Sequence, residues 1–141
     1  MPPSVQNNSG AMDAPAPGAP AALSVLLLVA PGALRDQLLE LIGRVAPTSR
    51  VETADCALDV MRRLARASAD LLVLDYAMDA VAGRSLIRHL ARAAPSLSVL
   101  VFDDVVRSLA EPRCDVWRWS EAETALQRSI EQRLQRGAQH P

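Results

Sequence analysis

The chain has 141 residues, a formal net charge of -1 and almost balanced acidic and basic side chains. That length fits one domain with a tail, and the even charge gives no electrostatic reason to expect a nucleic-acid or membrane-surface partner. Every basic residue apart from the histidines is arginine, and lysine is absent altogether.

Residues 1–21 are rich in proline and alanine, carry a Gln-Asn-Asn-Ser-Gly stretch and have little to bury, so they read as a disordered tail. From Ala22 the composition changes, and residues 22–136 are enough to enclose a core. Leu23 to Ala30 is a continuous apolar run stopped by Pro31-Gly32, as in a strand buried on both faces. The surrounding run from Ala21 to Ala33 is too short to span a bilayer. It also lacks the basic flank of a secretion signal, since the first positive side chain is Arg35. A cytoplasmic location is expected by default.

Ala33 to Val45 places Leu34, Leu38, Leu41, Ile42 and Val45 on one stripe and predicts an amphipathic helix ending before Pro47. Arg50 to Thr53 is a short second strand. Asp55 is positioned to cap a helix whose Ala57, Val60, Met61 and Leu64 share a face. Leu71 to Leu74 is a third strand, stopped by Asp75. A loop containing Asp79 and Gly83 follows, then a helix from about Arg84 to Ala93. Leu97 to Phe102 is a fourth strand, broken by Asp103-Asp104, and Val105 to Pro112 offers at most a short helix. Asp115 to Trp119 reads as a fifth strand with Trp117 and Trp119 on one face. Ser120 and Glu123 spell a capping box for a final helix to about Arg136, with Ala122, Leu126, Ile130, Arg133 and Leu134 along one side. Residues 137–141 are left as a second disordered end.

Strands alternating with helices imply an α/β domain, a doubly wound parallel sheet with helices on both faces. Such sheets place their sites at the carboxyl ends of the strands. Those ends are Ala30-Pro31, Asp75, Asp103-Asp104 and Trp119-Ser120.

Other chemistries lack their parts. Cys56 and Cys114 are far apart and in no ligand cluster, which predicts two reduced, partly buried thiols. His89 lies in a basic helix and His140 in the C-terminal end. Ser85, Ser108 and Ser120 have no nucleophile-elbow turn around them, and no glycine-rich phosphate loop occurs. The composition therefore points away from an enzyme and from any bound cofactor.

The stretch Ala67 to Pro95, ASADLLVLDYAMDAVAGRSLIRHLARAAP, resembles the receiver domain of two-component response regulators, and the resemblance extends from Leu23 to Arg136. It implies a flavodoxin-like (CheY-like) five-stranded sheet in the order 2-1-3-4-5. Receivers carry a phospho-accepting Asp after the third strand, which Asp75 matches. Met78 and Gly83 fit the residues that usually follow it, whereas Asp79 stands where proline is common.

The other positions depart from the pattern. Receivers hold Mg2+ with an acidic pair after the first strand, and here those positions are Ala30 and Pro31. Asp75 and a loop carbonyl such as that of Ala77 are a thin ligand set for a hard octahedral ion. Asp103 replaces the usual Thr or Ser, and Trp119 replaces the Lys. The short span from Asp103 to Trp119 also implies a fourth helix that is reduced or missing.

Three roles remain open for Asp75: a phospho-acceptor in a dismantled pocket, a simple strand-end turn cap, or a member of a cation-binding or proton-sharing cluster with Asp79 and Asp103. Trp117 and Trp119 are either ordinary packing under the last helix or partner anchors. The leading expectation is a stand-alone atypical receiver acting through protein contacts, with a sensor kinase or a downstream signalling protein as partner and homodimerisation left open. The alternatives are a working phospho-acceptor and, more remotely, a small flavodoxin-like cofactor binder.

Overall fold

A computed structural model of the chain describes residues 22–77, 80–104 and 114–139. The expectations attached to the N-terminal tail, Met78, Asp79, the shortened connection with Ser108, and His140 fall outside these residues.

Five strands are present: β1 (Ser24–Leu28), β2 (Arg50–Thr53), β3 (Leu71–Asp75), β4 (Ser98–Phe102) and β5 (Cys114–Trp117). Among the described residues they alternate with α1 (Ala33–Val45), α2 (Ala57–Arg66), α3 (Ala80–Ala93) and α4 (Ala122–Gln139). All strand pairs are parallel and the order is β2-β1-β3-β4-β5, as the sequence implied.

Because successive strand residues point to opposite faces, the apolar strands feed two separate core layers. Val25, Leu27, Val73, Leu100 and Phe102 pack with Leu38, Leu41 and Ile42 of α1 and Ala125, Leu126 and Ile130 of α4. Leu26, Leu28, Leu72, Leu74, Val99 and Val101 pack with Val60 of α2 and Leu86, Ile87 and Leu90 of α3. Four of the five residues in each of β1, β3 and β4 are buried for this reason, while β2 at the edge alternates between exposed and half-buried residues.

Several expectations are corrected. The N-cap of α2 is Cys56, not Asp55; the Asp55 backbone N–H instead receives the Asp59 carboxylate, donating to it at 3.2 Å. That surface position also leaves Cys56 exposed, whereas Cys114 is half-buried. Helix α3 starts at Ala80, well before Arg84. Gly83 is part of this helix and not of a loop, and it packs against the ring of buried Tyr76.

Strand β5 ends at Trp117, and a 3₁₀ turn, Trp119–Glu121, precedes α4. Ser120 therefore sits inside a turn and does not cap the helix. The Arg118 N–H donates to Glu121 Oε1 at 3.4 Å, while Glu123 faces Arg44 at 3.6 Å. Helix α4 continues past Arg136 to Gln139. Leu34 is 40% exposed because the first turn of α1, like Ala30 to Ala33 before it, stands clear of the sheet. Leu134 is exposed too, on the rim of an open groove between α1 and α4.

Candidate functional site

The third strand reaches Asp75 through four consecutive buried residues, so the carboxylate is delivered to the rim of the sheet by a rigid element. The ladder continues just past it. Tyr76 N–H donates to the Phe102 carbonyl at 3.0 Å, and Asp103 N–H donates to the Trp117 carbonyl at 2.9 Å. These two bonds bring the ends of β3, β4 and β5 level, and thereby place Asp75, Asp103, Asp104 and Trp119 around one point.

Asp75 closes a short side-chain turn, with the Ala77 N–H donating to its Oδ1 at 3.0 Å. The turn-capping role open in the sequence is thus present. The Trp119 side chain lies near the Asp75 carboxylate and favours its charged form. Trp119 is fixed in two ways: its backbone N–H donates to Asp104 Oδ1 at 3.2 Å, and its ring stacks on Phe102 with centroids 4.6 Å apart at 22°. Trp117 and Trp119 both pack against the layer formed with α1 and α4, as their spacing suggested, although Trp119 has left the strand.

Burial pushes the Asp75 carboxyl above the ordinary carboxylate range, and the charges of Asp103 and Asp104 push the same way; the Ala77 N–H bond and the nearby Trp119 side chain oppose them without reversing the shift. An acid with a raised native pKa adds stability below its ordinary pKa, and that stability is lost as pH rises through the native value. Asp75 is therefore a destabilising charge at neutral pH. Asp75→Asn keeps an acceptor for the Ala77 N–H and is expected to be more stable at pH 7, by ~0.5 kcal/mol once solvent screening of a half-exposed group is allowed for. The gain should vanish below about pH 4, where the native acid is neutral too. Urea titrations of both proteins at the two pH values measure this, and an equal gain at both would refute it.

The first-strand positions contribute no side-chain oxygen: Ala30 and Pro31 are exposed at the end of the β1 segment. Asp104 accepts from the Trp119 N–H and Asp75 from the Ala77 N–H. Among the described residues this is a poor donor set for a magnesium ion. Among the described residues no group of three or more His, Cys, Asp or Glu side chains is placed to hold a metal. Asp103 is 7% exposed, a buried carboxylate where a phosphoryl group would need a donor. His89, Ser85 and Ser120 are surface residues away from any such cluster.

The roles of Phe102, Asp104 and Tyr76 were not foreseen. Phe102 is the only phenylalanine in the chain and is fully buried. Tyr76 is also buried, with a hydroxyl that has no hydrogen-bond partner among the described residues. The Asp103-Asp104 pair was a visible signal at a strand end, but its pairing with the Trp119 backbone depends on how the strands align.

The fold is that of response regulator receiver domains. A receiver domain (CheY-like) from Methylobacillus flagellatus superposes with a TM-score of 0.66 at 11% identity, over 80% of this chain and 99% of its own. A two-component transcriptional regulator AraC from Clostridium phytofermentans gives 0.65 at 22% identity, over 84% and 100%. A putative pilus assembly-related protein from Burkholderia pseudomallei gives 0.65 at 22% identity, over 79% and 89%. No known family profile and no curated protein matches the sequence. No helix among the described residues is long and apolar enough to cross a membrane.

Proposed function

We propose that the chain is an atypical receiver-like signalling protein that works through protein contacts rather than as an enzyme, with phosphoryl transfer to Asp75 absent or inefficient. The observation that carries this reading is Trp119: stacked on Phe102 and tied to Asp104 through its backbone N–H, it stands beside the carboxylate that a phosphoryl donor would have to reach. Phosphoryl transfer needs an in-line approach and positive charge to meet the developing negative charge. Here the neighbouring charges are the carboxylates of Asp103 and Asp104, and Ala30 and Pro31 add nothing to offset them. No cofactor is required for such a role. The partner is a sensor kinase or a downstream signalling protein, and the half-buried Trp117 and Trp119 supply aromatic surface of the kind that anchors protein interfaces.

The second reading, a working phospho-acceptor that borrows its missing groups from a kinase, is favoured by the position of Asp75 itself at the end of β3. Incubation with acetyl phosphate and Mg2+ followed by phosphate-affinity electrophoresis separates the two. The wild type should migrate like Asp75→Ala. A retarded band in the wild type alone would overturn the proposal.

A further inference from the structure

Helices α2 and α3 lie side by side over one core layer, on the opposite face of the sheet from Trp117 and Trp119. Inward they present Val60, Met61 and Leu64, and Leu86, Ile87 and Leu90. Outward, residues four apart share a stripe, and both stripes are basic. Leu58, Arg62 and Arg66 are exposed on α2; Arg84, Arg88 and Arg92 are exposed on α3, where they span about 12 Å of helix. The whole chain has a net charge of -1, so this concentration of cations is local.

The arginines are not offset by acids. No Asp or Glu occurs from residue 80 to residue 102. The acids of α2 and β2, Asp59 and Glu52, are both held by Arg63, at 3.2 and 2.7 Å. Among the described residues Arg62, Arg84, Arg88 and Arg92 make no ion pair. Like charges one turn apart destabilise a helix, and of the five arginines only Arg66 and Arg92, in last turns, gain from the helix dipole. Leu58, in the α2 stripe, is 51% exposed, more than Leu34, Leu39 or Leu134.

We propose that the outer surface of α2 and α3 is a docking site for an acidic amphipathic helix of a partner protein. Carboxylates on successive turns of such a helix match the spacing of Arg84, Arg88 and Arg92, and an apolar residue beside them covers Leu58. Guanidinium groups bind carboxylates through paired N–H donors, and arginine is favoured at the centres of protein interfaces. A nucleic acid is a poorer match. Neither helix carries a Phe, Tyr or Trp to stack on a base, and the carboxylates at the strand ends repel a long polyanion. The surface is separate from Asp75, so the proposal does not rest on the absence of phosphoryl transfer there.

Fluorescence anisotropy of the full chain with two labelled helical peptides tests the site. One peptide has glutamates on three successive turns beside a leucine, and the other has glutamines in their place. The glutamate peptide should bind, and the glutamine peptide should bind roughly tenfold more weakly, a difference that shrinks as salt is raised. Arg88→Glu turns two like-charged neighbours into oppositely charged ones, so its urea midpoint should rise while its affinity for the glutamate peptide falls by roughly tenfold or more. Arg88→Gln should lose less affinity, and Leu58→Ser should weaken both peptides alike. Equal affinity for the two peptides, or unchanged affinity in Arg88→Glu, would overturn the proposal. A lower urea midpoint in Arg88→Glu would overturn it too, since Arg88 would then serve the protein's own packing. So would tighter binding of a DNA duplex or of anionic vesicles than of the glutamate peptide, or self-association of the chain that Arg88→Glu abolishes.

Discussion

Phe102→Ala is expected to lower the free energy of unfolding by about 3–5 kcal/mol, the range for emptying the site of a buried phenylalanine. The side chain is fully buried at the end of β4, in the layer shared by α1 and α4, and it carries the Trp119 ring. Its removal leaves a cavity and takes away the surface on which Trp119 rests. The backbone bond from Tyr76 N–H to the residue 102 carbonyl should survive, so the loss is one of packing and not of strand pairing. Since small domains are stable by only about 5–15 kcal/mol, the variant should be measurably unfolded at mild denaturant. Phe102→Leu, closer in volume and apolar, should cost less than about 1.5 kcal/mol. Urea titration followed by far-ultraviolet circular dichroism checks both. A loss under about 1 kcal/mol for the alanine variant would mean that Trp119 collapses into the space.

Asp70→Ala is expected to cost about 2–3 kcal/mol, although it lies at the opposite end of the sheet from Asp75. Its Oδ2 accepts the Ser24 N–H at 2.9 Å and its Oδ1 accepts Arg133 Nη2 at 3.2 Å, while Arg133 Nη1 donates to the Ser96 carbonyl. One carboxylate thus ties the start of β1 to α4 and to the approach of β4. The Arg133 side chain is only 20% exposed, so removing Asp70 leaves a poorly hydrated cation with one carbonyl partner. Arg133→Met should cost less than Asp70→Ala, because it replaces the buried charge with an apolar chain of similar length. The double variant should show the two losses to be non-additive by about 1 kcal/mol. Additive losses would show that the pair is not coupled.

Much of the fold was legible because the strands are short apolar runs closed by proline, glycine or aspartate. β2 and α1 were read to the residue, and the strand order followed from the resemblance around Asp75. Helix ends were less legible where backbone and side chains compete locally. Asp55 and Ser120 are good caps by type, yet Cys56 occupies one cap and a 3₁₀ turn absorbs the other. Gly83 was read as part of a loop, yet it lies inside the helix that begins at Ala80, against the buried Tyr76 ring.

The candidate site divides in the same way. Asp75, Asp103 and Trp119 could be placed near one another by strand-end arithmetic, since each follows an apolar run. That Trp119 would lie beside Asp75, bond Asp104 through its backbone and stack on Phe102 could not be read from any local pattern. It arises from the level at which β3, β4 and β5 end, which the bonds from Tyr76 to Phe102 and from Asp103 to Trp117 set. Arg133 shows the converse: its place on the inward side of the last helix was visible in the spacing, and the buried partners that justify a cation there were not.

On the proposed reading, Asp75 lies beside Trp119 in a pocket where phosphoryl transfer is absent or inefficient. Backbone amide NMR of the protein with Mg2+ and a beryllofluoride phosphoryl mimic, with Asp75→Ala as control, tests it most directly. Spectra that stay superimposable as the mimic is added are expected. Saturable shifts around Asp75, Asp103 and Trp119 in the wild type, lost in Asp75→Ala, would contradict it.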